Sequence, residues 1–118
     1  MTTKTTKDDY FELYDLKIEV LQDEAKPMIC NHPKGMHFLM SGENLIFPNN
    51  ATFPLYCLAS LMPILPVKQR DTHACDWITT DSIIACPDPN CGGLFKITRL
   101  GKKSFKHSDV TLTALTNE

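Results

Sequence analysis

The strongest constraint on how this chain can fold is an alternation. Tyr14, Leu16, Ile18 and Val20 are separated by Asp15, Lys17 and Glu19. A period of two sends successive side chains to opposite faces of an extended backbone. One apolar and one charged face predict a half-buried strand in an antiparallel sheet. The pattern returns where Phe95 and Ile97 alternate with Lys96 and Thr98.

Between these stretches the chain turns often. "MHFLMSGENLIFP" reads as two short strands around a turn at Ser41, Gly42, Glu43 and Asn44, with Met36, Phe38 and Met40 on one face. "SIIAC" reads as a short buried strand. The "PDPNCGG" after it must turn, because its prolines fix φ and its glycines admit positive φ. Residues 82–100 are therefore predicted to form a β-hairpin.

The period changes once. Leu55, Leu58, Ala59 and Met62 fall at i, i+3, i+4 and i+7, which predicts the apolar stripe of a helix. Asn50 or Thr52 is the expected cap and Pro54 suits the first turn. Pro63 and Pro66 should end or bend the helix. Cys57 lies beside the stripe, at the core or its edge.

Strands joined by turns, with one principal helix packed on one face of a mainly antiparallel sheet, define an α+β domain. Residues 1–9 read as a disordered start, 10–101 as a single domain, and 102–118 as a tail that either adds a strand at 110–115 or stays loose. The chain's 118 residues suit that division.

A net charge of −2 gives no electrostatic reason to expect nucleic acid or an anionic membrane as partner. No apolar run approaches the roughly 20 residues of a membrane span. The polar start "MTTKTTKDDY" lacks the apolar core of a secretory signal, so a cytoplasmic protein is expected. Five cysteines is an odd count. In a reducing compartment they read as free thiols, core residues or metal ligands rather than a disulfide framework.

Cys86 and Cys91 lie in a C-x4-C turn followed by Gly92 and Gly93, a spacing that lets two thiolates reach one ion such as zinc. A tetrahedral site needs two more ligands. Cys30 with His32, or His73 with Cys75, could supply them. The competing reading makes Cys86 a small core residue and Cys91 an incidental thiol. A nucleophilic thiol would want nearby positive charge, which His32 and Lys34 offer Cys30 in sequence. His73, Asp76, Trp77 and Asp81 could line a ligand pocket, or could simply hold turns.

The run from "YCLASLMPILPVKQR" through "DWITTDSIIACPDPNCGGLFKITRLG" resembles a widespread family of small uncharacterised microbial proteins. The resemblance covers about residues 14–101. It rests on Cys30 and Gly35, on Cys57 in the helix, and on Cys86, Pro87 and Asp88 before a strand ending in Arg99. It implies no activity. It singles out Cys30, Cys57 and Cys86 as the family-like cysteines, with Cys75 and Cys91 as features of a subgroup.

Three functions are expected from these readings. The first is a small domain that binds a small molecule or a metal, with Cys30, His32, Cys57, His73, Asp76, Trp77 and Asp88 in the ligand site and Cys86, Cys91, Cys30 and His32 as metal ligands. The second is a thiol enzyme using Cys30 or Cys86 with His32 or His73 as base. The third is an interaction subunit that assembles as a homo-oligomer.

Overall fold

The computed structural model describes residues 9–30 and 33–116. The predicted disordered start, apart from Asp9, lies outside these residues, as does His32. Among the described residues five strands are present: β1 (Tyr10–Gln22), β2 (His37–Ser41), β3 (Asn44–Ile46), β4 (Ile83–Ala85) and β5 (Gly93–Lys106). They form one sheet in the order β3-β2-β1-β5-β4, with every neighbouring pair antiparallel. Among the described residues four short α-helices accompany it: α1 (Leu55–Leu61), α2 (Leu65–Lys68), α3 (Trp77–Thr80) and α4 (His107–Val110). The architecture is α+β, as the alternation predicts.

The two alternating stretches are central neighbours. Leu16, Ile18 and Val20 on β1 face Arg99, Ile97 and Phe95 on β5, and Ile18 also faces Phe38 on β2. Leu16, Ile18, Val20, Phe38 and Phe95 are all fully buried. Phe53 meets Phe38 and Phe95 edge-on at 4.9 and 5.4 Å, and Phe47 stacks on Phe38. Such ring geometries add to area burial in holding the core. Met36 and Met40 pack against this cluster, sharing the Phe38 face as expected.

The helix presents a different face from the predicted stripe. Leu55 and Met62 are 70% and 58% exposed, whereas Cys57, Leu61 and, past the break, Leu65 are buried. "LYCLASL" is apolar nearly all round, so periodicity alone does not choose the face turned to the sheet; Leu58 still packs at its margin. Pro54 occupies the cap position, with no side-chain cap from Asn50 or Thr52. Helix α1 stops before Pro63, and Pro66 sits in the first turn of α2.

Two further expectations are corrected. Strand β4 is an edge strand with Ile83 51% exposed; only Ile84 packs against the core. Strand β5 does not end near residue 100 but runs to Lys106, and the 110–115 segment adds no strand, since Val110 closes α4. Pairing passes from Tyr14↔Lys102 to Leu16↔Arg99, so Asp15 alone faces Leu100 and Gly101. Gly101 thus marks a β-bulge inside a long strand rather than its end.

The segment after α2 is pinned to the sheet by Arg99. Its guanidinium donates to the carbonyls of Lys68 and Arg70 and to Thr72 Oγ1, and lies 4.8 Å from the Tyr14 ring centre. This fixes the end of α2 and the segment after it against β5.

Candidate thiol centre

Four cysteines from four separate stretches of chain meet at one end of the sheet. Cys30 comes from the loop after β1, Cys57 from the first turn of α1, Cys86 from just past β4, and Cys91 from just before β5. Cys30 Sγ lies 2.8 Å from both Cys86 Sγ and Cys91 Sγ. Cys57 Sγ is 3.7 Å from Cys30 Sγ and 3.8 Å from Cys86 Sγ. The sulfurs of Cys30, Cys57 and Cys86 all lie within 4.8 Å of one another, close enough to hold a metal ion.

The local backbone explains the convergence. The Cys86 N–H donates to the Gly93 carbonyl, closing the β4–β5 hairpin over the C-x4-C turn. Within the turn, Asp88 Oδ1 accepts from Asn90 N–H and the Asp88 carbonyl from Cys91 N–H. Gly92 is threaded between the carbonyls of Asp23 and Lys26, which an added Cβ would approach to 2.8 and 2.7 Å. Gly92 N–H donates to the Pro27 carbonyl, and Asp23 N–H to the Gly92 carbonyl. These bonds lock the turn to the Cys30 loop.

Cys91 is buried and receives three backbone N–H donors, from Ile29, Cys30 and Gly93, at 3.2–3.3 Å. Burial opposes its ionisation, but the Cys30 thiol and these N–H groups outweigh it and bring the thiol down to about 7. Cys30 moves the other way. Burial first, then its hydrogen bonds to Cys86 and Cys91, push its thiol well above the usual range. Burial also pushes Cys57 up to about 11. Three sulfurs thus crowd together, and beside Cys30 the Cys91 position favours a thiolate.

A hollow of about 180 Å³ opens beside the sulfurs, lined by Cys30, Cys57 and Cys86 together with Pro54, Tyr56 and Pro87. Asp88 also borders it, so this residue of the expected ligand set does lie at the thiol centre. Cys30 and Cys86 are only partly buried, so the centre is reachable by small molecules.

His73, Asp76 and Trp77 are engaged in a turn of their own. His73 Nδ1 accepts from Cys75 N–H, Asp76 Oδ1 caps α3 by accepting from Ile78 N–H, and Trp77 is 59% exposed. No hydrogen bond among the described residues links this turn to the four sulfurs. Of the expected metal ligands, Cys30, Cys86 and Cys91 come together, and Cys57 joins them. The signal for Cys57 is its place four residues before Leu61, on the core side of α1. Gly93 is the other contributor the sequence understates: a Cβ there would lie 3.0 Å from Cys30 Sγ.

Comparison with protein-family models, curated proteins and solved structures finds no match to this chain. Among the described residues, no helix is long and apolar enough to cross a membrane.

Proposed function

We propose that this protein binds one thiophilic metal ion, zinc in the first instance, through the grouped sulfurs of Cys30, Cys57 and Cys86, with Cys91, 2.8 Å from Cys30, turning in as the fourth ligand. The observation that carries the reading is the convergence of these sulfurs. A tetrahedral zinc site with bonds of about 2.3 Å has sulfurs roughly 3.8 Å apart. The Cys57 separations of 3.7 and 3.8 Å match that edge. The two 2.8 Å separations would open by about 1 Å as Cys30 turned toward an ion. All-thiolate donor sets favour zinc and other soft ions over magnesium or calcium.

The N–H donors on Cys91 support the same reading, because hydrogen bonds to ligand atoms orient them and stabilise their charged form. The three cysteines singled out by the resemblance are the three whose sulfurs lie within 4.8 Å of one another. A thiol enzyme based on Cys30 has less support, because burial and its donated hydrogen bonds disfavour the reactive thiolate.

Metal analysis of untagged protein purified without chelator tests the proposal. About one equivalent per chain is expected, with a Co(II)-substituted form showing the visible bands of tetrahedral thiolate coordination. Less than about one tenth of an equivalent, with no uptake of added zinc, would overturn it.

A further inference from the structure

We propose that the thiol centre is redox-gated: a peroxide joins Cys30 to Cys86 or to Cys91, and the resulting disulfide releases the metal. The gating rests on the metal reading and adds how the site is controlled. Its basis is the position of Cys30, whose sulfur is 2.8 Å from two other sulfurs at once. These are the separations without an ion; as Cys30 leaves the ion and returns to them, either pairing, to a disulfide of about 2.05 Å, needs an approach of only about 0.8 Å. Cys57 stands farther off, at 3.7 and 3.8 Å, on a helix fixed by its buried face. Cys30 is therefore the shared member of both short pairs, and Cys57 the sulfur left out.

Access and chemistry agree with this. The hollow beside Tyr56 and Pro87 reaches Cys30 and Cys86 and suits an oxidant as small as hydrogen peroxide. One sulfur attacks the peroxide O–O bond, becoming a sulfenic acid as water leaves. The second sulfur displaces the sulfenic oxygen as a second water, forming the S–S bond. Two electrons pass from two zinc-bound thiolates to one peroxide, and two protons are taken from solvent, giving one disulfide and two waters. Zinc keeps its charge throughout and loses two of its four thiolate ligands.

Zinc-loaded Cys75→Ser protein, which lacks the exposed thiol, is treated with hydrogen peroxide. Released zinc is followed with a chromophoric chelator, and crosslinked peptides are mapped by mass spectrometry. The expected result is one zinc released per Cys30–Cys86 or Cys30–Cys91 crosslink, with rebinding after a thiol reductant. Release accompanied only by a Cys86–Cys91 crosslink or by sulfinic acids would overturn the gating, as would a crosslink that leaves zinc bound. Cys57→Ala, which keeps the three close sulfurs, should still form a Cys30 crosslink; its failure to do so counts against the pairing. Zinc content is measured before oxidation. A protein that never loads zinc overturns the metal reading and the gating together, whereas a loaded protein with the wrong products overturns the gating alone.

Discussion

A methyl group on Gly93 would lie 3.0 Å from the sulfur of Cys30 and 3.4 Å from that of Cys91. The glycine thus keeps open the space in which two sulfurs sit. Gly93→Ala should lower zinc affinity by about tenfold or more, since small displacements around ligand atoms have effects of that order. The metal-free fold should change little, by about 1 kcal/mol. Gly92→Ala is expected to do the reverse, because its added Cβ meets backbone carbonyls that cannot swing aside. It should cost roughly 2–3 kcal/mol of folding stability even with chelator present. Chelator competition and urea unfolding separate the two, and equal effects of both variants on both readouts would refute this division.

Cys57 links the helix to the centre. Removing its sulfur from the metal-free protein should cost only about 1 kcal/mol, the scale of a small core truncation. With metal present the difference should be larger. Ligand binding to the native state stabilises it by about 4 kcal/mol when free ligand exceeds the dissociation constant a thousandfold. Wild-type protein should therefore lose several degrees of melting temperature on chelation, and Cys57→Ala much less. An equal chelator effect in both proteins would remove Cys57 from the site.

The parts of this structure legible in the sequence are those fixed by local pattern. Leu16, Ile18, Val20, Phe95 and Ile97 announce their buried face by alternation, and Ser41 to Asn44 announce a turn by composition. Gly101 is different: whether a glycine ends a strand or sits in a bulge depends on the partner strand, here on Asp15 facing two residues. The helix face is equally hidden, because Leu55 and Leu61 are alike in chemistry and only the sheet distinguishes them. The C-x4-C turn is visible as a thiol-bearing element. The joining of Cys57 to Cys30, 27 residues apart, is not, since it depends on which face of α1 the sheet takes up.

The Arg99 anchor predicts a stability effect away from the thiols. Arg99 satisfies the carbonyls of Lys68 and Arg70 as well as Thr72 Oγ1. Arg99→Ala should cost about 2–3 kcal/mol, as it removes charged donors and leaves the partly buried Lys68 carbonyl unpaired. Arg99→Lys should recover less than half, because a single ammonium cannot reproduce the planar fork. Chemical denaturation in the presence of chelator measures both. Full rescue by lysine would show that charge, rather than geometry, holds the segment.

Beside Arg99, Asp71 provides a test in pH. Its carboxylate accepts from Lys102 Nζ at 2.8 Å and from the Tyr14 hydroxyl at 3.0 Å. These two bonds, Lys102 first, hold its pKa below the ordinary value of 3.8. A carboxyl depressed in the folded state adds stability that is fully present above its unfolded pKa and is lost as pH falls through the folded one. Asp71→Asn keeps an oxygen for Tyr14 but gives up the charge facing Lys102. The stability gap between wild type and this variant should stay constant from neutral pH down to about 5 and close progressively below about 4. It should also shrink in high salt, because the pair is exposed. Urea midpoints measured across that range decide the point; a gap that widens on acidification would mean that the Asp71 pair does not contribute in the manner its geometry implies.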